Sequence, residues 1–285
     1  MYSGTTLRSN SGKLLGAHQK FDRVARRALK SVAPELPFPG VGQILHFEGL
    51  NGPDGIKRKS PARDEPWHYF NPIDDTDRAL IDMVADHRVN LIRALRKNNI
   101  ERAAFEAAWM AHALVDGLTP AHHFPFEEVI EGIRGEAKEE RTTVVKKLIY
   151  PGKTPRERFR NNWYVWGAGG AMTTHGLFEL GIATTIKTLP MKNGYPTPND
   201  LIRARSGGIE PLFIESARQI HGLDMYTAFQ KNGWTSRLAR QTRQDLAPHI
   251  VKIITLAWYE AAWQAHHKKA GYGTFARSNS DRSGN

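Results

Sequence analysis

The sequence has no cysteine among its 285 residues. A disulfide framework and a thiolate metal ligand are therefore excluded, and any metal bound by this chain must use histidine and carboxylate ligands. Long apolar runs are also missing, since no window approaches the roughly 18 consecutive apolar residues that a membrane-spanning helix needs. The first residues lack the apolar core of a secretory signal, which makes the cytoplasm the default expectation for location.

Strand-like patterns and repeats are equally scarce. Few segments alternate with the period of two that is typical of strands, and no internal repeat is visible. The sequence therefore predicts an all-α fold in which residues 12–270 form one helical domain with long ordered loops. Residues 1–11 are expected to be flexible, and the Gly-, Ser-, Asn- and Arg-rich residues 271–285 are expected to be a disordered tail.

Acidic residues are too few to balance the basic ones. The chain has 40 Lys and Arg against 29 Asp and Glu, which gives a formal charge of +11, and it also carries 12 histidines. Such an excess favours a polyanionic partner, namely nucleic acid, an anionic membrane surface or a phosphate-bearing substrate.

The stretch from Trp109 to His123 is the most informative part of the sequence. His112 and Asp116 lie four residues apart in an alanine-rich run of good helix formers, so they share one face of a predicted helix. Gly117 is a suitable C-terminal cap, so the helix should end there. His122 then lies near the pair but points from another direction, and the three side chains together suit Zn²⁺.

This spacing alone has a simpler interpretation. His112 and Asp116 can form an ordinary ion pair, and His122 with His123 can belong to a solvated turn, because such short spacings recur by accident. The metal site is favoured because further ligand-type residues follow in the rest of the chain.

Three of those residues lie on predicted helices. His18 falls on the apolar face of a helix predicted for residues 11–32, although a lone histidine there is more commonly a satisfied core residue. His175 and Glu179 repeat the one-turn spacing of a histidine and a carboxylate, which puts both side chains on one helix face.

Two more candidates lie in the long segment of residues 34–72. Its proline and glycine residues exclude a sustained helix, but its aromatic and aliphatic content is too high for disorder, so it is expected to be an ordered functional loop. It carries Asp54 and His68. The sequence Pro53-Asp54-Gly55 is also typical of a turn, which is the alternative role for Asp54.

A basic and aromatic segment separates the two histidine–carboxylate pairs. Its composition predicts a charged helix over residues 126–150, followed by a Pro-Gly break and a basic run over residues 153–160. That run is expected to be a solvated face, with phosphate or membrane contact as the alternative. Trp163, Tyr164 and Trp166 follow and are expected in the core rather than in a substrate platform.

Taken in order, the candidate ligands resemble the pattern of the trinuclear-zinc phospholipases C and the related zinc-dependent single-strand nucleases. The resemblance runs from about residue 14 to about residue 180. Its most specific part is His-x3-Asp-x5-His with a Thr-Pro pair before the last ligand, followed by Trp-His-Tyr-Phe-Asn-Pro at residues 67–72 and His-x3-Glu. The residues that match are His18, Asp54, His68, His112, Asp116, His122, His175 and Glu179.

This resemblance implies an all-helical fold that binds two to three zinc ions and hydrolyses a phosphodiester. One zinc would be held by Asp54, His68 and His112, with Asp116 bridging it to another ion. Clustered cations of this kind bind the phosphate, lower the pKa of a water molecule and stabilise the leaving oxygen. Asp54 would in addition orient that water or accept its proton.

The same resemblance implies two further zinc sites. A second zinc would be held by His122, His175 and Glu179, and a third would take His18 and the other oxygen of Asp116.

The third site departs from the family pattern. Family members also use the amine and carbonyl of an N-terminal Trp, and no Trp precedes His18 here. Asp22, one helical turn after His18, can substitute, although a salt-bridged surface role is expected for it. The third ion should therefore bind more weakly than the other two. The interval from His122 to His175 is also longer than the family pattern, which places an extra basic segment beside the cleft.

The substrate is less well defined than the metal ligands. The details at residues 67–70 and Glu179 resemble phospholipase C, which predicts hydrolysis of a phospholipid, with a single-strand nuclease of the same superfamily as the alternative. A rival from another class is a non-catalytic basic protein that keeps one or two structural zincs and binds nucleic acid or a partner. Of the two acidic candidates before His68, the family-like interval selects Asp54, and Asp64 is expected at the surface.

Overall fold

The computed structural model of this chain describes residues 16–57 and 65–267. All regular secondary structure in these two ranges is helical, which confirms the prediction of an all-α fold. The segments predicted to be flexible or disordered, residues 1–11 and 271–285, lie outside the described residues, and so does Asp64.

The described α-helices are connected by short 3₁₀ turns and loops. In chain order they are α1 (Ala17–Val32), α2 (Val41–His46), α3 (Pro53–Lys57), α4 (Ala79–Arg96), α5 (Ile100–Gly117), α6 (Phe126–Arg134), α7 (Val144–Leu148), α8 (Pro155–Trp166), α9 (Ala171–Ile186), α10 (Pro198–Gly207), α11 (Glu210–His221), α12 (Met225–Asn232), α13 (Ser236–Gln241) and α14 (Ala247–His267). Within the described ranges, no helix is both long enough and apolar enough to cross a membrane.

Helix α5 lies at the centre of the fold, with α1, α4 and α14 packed against it. Every alanine between Ala103 and Ala113 is buried, and these small side chains allow neighbouring helices to approach the α5 backbone closely. The buried indole of Trp258 on α14 donates Nε1–H to the carbonyl of Ala107 at 3.0 Å. One continuous apolar core joins these helices, as expected for a single domain.

Helix α5 ends at Gly117 as predicted, but the glycine serves a different purpose. The helix is capped by Leu118 in a right-handed conformation, so Gly117 does not supply a left-handed cap. A Cβ atom at Gly117 would lie 2.4 Å from Leu80 Cδ2 and 2.6 Å from Phe213 Cζ. The absence of a side chain at residue 117 therefore allows α4 and α11 to approach the end of α5.

The prediction of a single helix over residues 126–150 is wrong. Helix α6 ends at Arg134 because Gly135 adopts a left-handed conformation with φ of 69°, which closes the helix. The chain then folds back as α7. The Arg134 guanidinium donates to the carbonyls of Lys147 and Ile149 at 3.0 and 3.2 Å, which fastens α7 beside α6.

The core position expected for Trp163, Tyr164 and Trp166 is also wrong. All three side chains are exposed, and the only buried side chain of α8 is Val165. The side of α8 that packs against the protein carries Val165. The aromatic residues before and after Val165 lie on the other sides of the helix and are exposed.

A wide helical turn lies just before Pro248, near the start of α14. A π-helical turn, Thr242–Leu246, joins α13 to α14 without interrupting the helical path. Proline has no N–H to donate and its ring crowds the carbonyl four residues earlier, so a local widening of the helix accommodates it.

Gly117→Ala should lower the free energy of unfolding by about 1–3 kcal/mol, because the added methyl group overlaps Leu80 and Phe213. Gly132→Ala is the matched control, since a Cβ atom at this position of α6 meets no other part of the fold within 4 Å. The control should be neutral or stabilising. Urea unfolding followed by circular dichroism measures both changes, and a Gly117→Ala variant as stable as the unchanged chain would contradict the close approach.

Candidate metal centre

The carboxylate of Asp116 on α5 lies among four imidazoles. Its Oδ1 atom is 3.4 Å from His18 Nε2 and 3.6 Å from His122 Nε2. Its Oδ2 atom is 2.6 Å from His68 Nδ1 and 3.3 Å from His112 Nε2. All five side chains are buried. Residues from four separate segments of the chain therefore converge on one carboxylate group.

Three groups of side chains around Asp116 can hold a metal ion. Within each group the potential ligand atoms lie within 4.8 Å of one another. The groups are Asp54, His68 and His112; His122, His175 and Glu179; and His18, Glu48 and His112. The structure thus brings together all eight residues selected from the sequence, two of the groups being the sets implied by the resemblance.

Local structure explains two of these contacts. The one-turn spacing on α9 places His175 Nε2 2.8 Å from Glu179 Oε1. At the end of α5, the Thr119 hydroxyl donates to the carbonyl of Val115 at 2.7 Å, and Pro120 begins a 3₁₀ turn, Pro120–His123. This break in the helix turns His122 towards Asp116.

His122 is held in one orientation by the backbone. Its Nδ1–H donates to the carbonyl of His68 at 2.8 Å, so the Nε2 atom of the neutral ring carries no proton. Burial lowers the pKa of His122 to about 4, which keeps the ring neutral near pH 7. A backbone carbonyl that fixes the tautomer in this way is typical of histidines that bind metals.

The group of His122, His175 and Glu179 has a contact that a cation would stabilise. His122 Nε2 lies 2.9 Å from Glu179 Oε1. Burial alone would raise the pKa of Glu179, but the neighbouring His175 holds it well below its usual value, so the carboxylate is charged. An unprotonated nitrogen and a carboxylate oxygen repel each other at this distance. A cation bound by both atoms removes that repulsion, so the group fits a metal ion.

His112 faces carboxylates on both sides of its ring. Its Nε2 atom is 3.3 Å from Asp116 Oδ2 and 3.7 Å from Asp54 Oδ1, and its Nδ1 atom is 3.4 Å from Glu48 Oε2. Burial alone would lower the pKa of His112, but Asp116, Glu48 and Asp54 raise it to about 10. This part of the centre therefore has a surplus of negative charge that a bound cation can balance.

Asp54 is the most accessible of the eight residues. Its side chain is 21% exposed, whereas the other side chains at the centre are almost completely buried. It lies in the first turn of the short helix α3. The Pro-Asp-Gly sequence therefore begins a helix here and does not form an isolated turn.

Glu48 was missed by the sequence analysis. It lies just before a 3₁₀ turn, Gly49–Asn51, and its side chain is buried. Its Oε1 atom has no hydrogen-bond partner among the described residues. The available signal was a single carboxylate between Phe47 and Leu50, in a segment already expected to be ordered.

The surface position expected for Asp22 is wrong. Asp22 is buried on α1, and burial together with the nearby Glu48 carboxylate raises its pKa well above the usual value. His18, one turn earlier, stacks on His112 with ring centroids 3.9 Å apart. The Nδ1 atom of His18 has no hydrogen-bond partner in the described part of the chain, so His18 is not a satisfied core histidine.

Comparisons of the chain with protein-family models, with curated proteins and with solved structures found no match. The residues and geometry of the centre are therefore the basis for assigning its function, and the resemblance to zinc-dependent phospholipases C and nucleases stays a prediction.

Asp116→Asn should reduce the metal content of the purified protein and lower its melting temperature. Asparagine cannot bridge two cations as a carboxylate does, and metal binding contributes directly to folding stability. Elemental analysis and thermal unfolding of the two proteins measure these effects.

His123→Ala is the control for that experiment. The His123 Nε2–H donates to the carbonyl of Gly117 at 2.9 Å, and the residue belongs to none of the three groups. The control should keep its metal. If His123→Ala loses metal while His122→Ala keeps it, the ligand assignment is wrong by one residue.

Proposed function

We propose that this protein is a zinc-dependent phosphodiester hydrolase of the phospholipase C type. The main support is the position of Asp116, whose two oxygens face different histidines: His68 and His112 on one side, His18 and His122 on the other. A carboxylate in this position can bridge cations, and neighbouring cations about 3.5–4 Å apart are typical of metal-dependent phosphodiester hydrolysis.

The donor set favours zinc among the transition metals. The three groups offer only imidazole nitrogens and carboxylate oxygens, as expected for a chain without cysteine. These are ordinary zinc ligands in catalytic sites. Zinc bound here would supply clustered positive charge that binds the phosphate group and lowers the pKa of a water molecule.

The protein's own residues have separate roles in this proposal. Asp54, the accessible carboxylate, accepts a proton from the attacking water. The water oxygen bonds to phosphorus while the ester bond to the leaving alkoxide breaks, and that alkoxide takes up the proton from Asp54, which restores the carboxylate. Asp116 and the backbone carbonyl of His68 keep the imidazoles in position, so that little reorganisation is needed during the reaction.

Glu48 supplies a ligand that the resemblance does not include. Together with His18 and His112, it would offer a third cation one carboxylate and two imidazoles. The third site therefore has a protein carboxylate in addition to the residues implied by the resemblance.

Asp54→Asn should reduce turnover by at least about 100-fold, because the amide cannot accept the proton. Asp64→Asn is the control and should keep full activity. The substrates are phosphatidylcholine, an anionic phospholipid, single-stranded DNA and a soluble aryl phosphodiester. An active Asp54→Asn variant together with an inactive Asp64→Asn variant would assign the catalytic role to Asp64 instead. A protein that holds zinc but hydrolyses none of these substrates would instead support the non-catalytic alternative.

Glu48→Gln should lower the metal content by about one ion per chain and leave the other ions bound, because glutamine is a weak zinc ligand. Asp22→Asn is the matched control: Asp22 is also buried beside Glu48 but belongs to none of the three groups. It should keep its full metal content. Unchanged metal in Glu48→Gln would mean that Glu48 only orients His112.

A further inference from the structure

Helices α7 and α8 present an unusual number of large apolar side chains to solvent. More than half of the large apolar residues that are exposed in the described part of the chain come from residues 144–166. We define the α7–α8 face by its most prominent members, which are Val145, Leu148, Phe159, Trp163, Tyr164 and Trp166. An exposed apolar surface of this kind marks an interaction site.

The apolar residues form one continuous surface. Phe159 and Trp163 lie four residues apart on α8, and their rings stack with centroids 6.0 Å apart. Trp166 follows on the next turn of the same helix side. Its Nε1–H donates to the carbonyl of Leu148 at 2.8 Å, which joins the end of α8 to the end of α7.

Positive charge surrounds this face. Residues 144–166 contain six lysines and arginines but a single acidic residue, Glu157. Arg156 and Arg160 are exposed and lie alongside the stripe formed by Phe159 and Trp163. Aromatic and aliphatic side chains bordered by cations are typical of helices that lie in the interface of an anionic bilayer.

The face borders a cavity that reaches the metal centre. The cavity has a volume of about 510 Å³, and its lining includes Leu148 and Trp166 of the α7–α8 face as well as His68. Tyr69 and Tyr150 also line it, so much of its wall is aromatic. A molecule held at the face can therefore contact a cavity that a candidate metal ligand also lines.

We propose that the α7–α8 face docks the protein on an anionic lipid bilayer. Val145 and Leu148 favour hydrocarbon over nucleic acid, because unpaired bases bind aromatic rings and cations but gain little from aliphatic side chains. A second copy of the chain is disfavoured because its identical positive charges would meet the same charges across the contact. Passage of a phospholipid through the cavity rests on the proposed hydrolase function, whereas docking itself does not.

Sedimentation of the full chain with lipid vesicles tests the docking. Vesicles of phosphatidylcholine with phosphatidylglycerol should bind the protein, pure phosphatidylcholine vesicles should bind it weakly, and added salt should release it. The double variant Phe159→Ser, Trp163→Ser should bind more than about tenfold more weakly, because both side chains lose their apolar contact with lipid. These residues are 69% and 57% exposed, so the fold does not depend on them.

A matched control and a charge variant complete the test. Ile73→Ser with Ile202→Ser changes residues that are 61% and 54% exposed outside the face, and it should leave binding unchanged. Arg156→Gln with Arg160→Gln should weaken binding to the anionic vesicles and reduce its dependence on salt.

Several results would overturn the docking. One is that the unchanged protein binds no vesicles. Another is that the double variant at Phe159 and Trp163 binds vesicles as tightly as the unchanged protein does. Tighter binding to single-stranded DNA that the same changes abolish would assign the face to nucleic acid. If the protein binds no vesicles but forms a dimer that the changes at Phe159 and Trp163 dissociate, the α7–α8 face is a contact between copies of the chain.

The docking and the hydrolase function can fail separately. Vesicle binding without hydrolysis of either lipid contradicts the hydrolase function and supports the docking. Hydrolysis of a soluble phosphodiester without vesicle binding contradicts the docking and supports the hydrolase function.

Discussion

The buried carboxylate of Asp116 is the constraint on which the rest of the structure depends. A charged group removed from water is costly unless neighbouring groups stabilise it. Burial alone would raise the pKa of Asp116, but the charged His112 holds it well below the usual value. The imidazoles come from separate segments, so the charge is stabilised only in the folded chain. The buried alanines of α5 allow the other helices to approach closely enough to bring those side chains together.

The pairs at the centre that the residues alone could predict are those fixed by local geometry, whereas His18, Asp54, His68 and His122 were selected through the family-like pattern. His112 with Asp116, and His175 with Glu179, follow from helical spacing alone, and the all-α fold follows from the same periodicity. Glu48 has no partner at a regular spacing, since its contact with His112 joins residues 64 positions apart. Such a contact depends on how a loop packs on a helix, which no local pattern describes.

Two other errors have related physical causes. Asp22 is buried near Glu48, and the sequence of α1 alone does not determine what covers each face of the helix. The exposed aromatic residues of α8 show the opposite case. An apolar stripe predicts that something covers it, but the covering group need not be another part of the same chain. The apolar character of Trp163, Tyr164 and Trp166 therefore led to a core prediction that their exposure contradicts.

One residue, His68, connects two of the three groups at the centre. The ring of His68 belongs to one group, while its backbone carbonyl accepts the hydrogen bond that orients His122 in another. A shift of the chain at residue 68 therefore changes both groups together. An ion bound at one group would therefore change the affinity of the other group, and the effect would be reciprocal. These two groups would therefore behave as a linked pair rather than as independent sites.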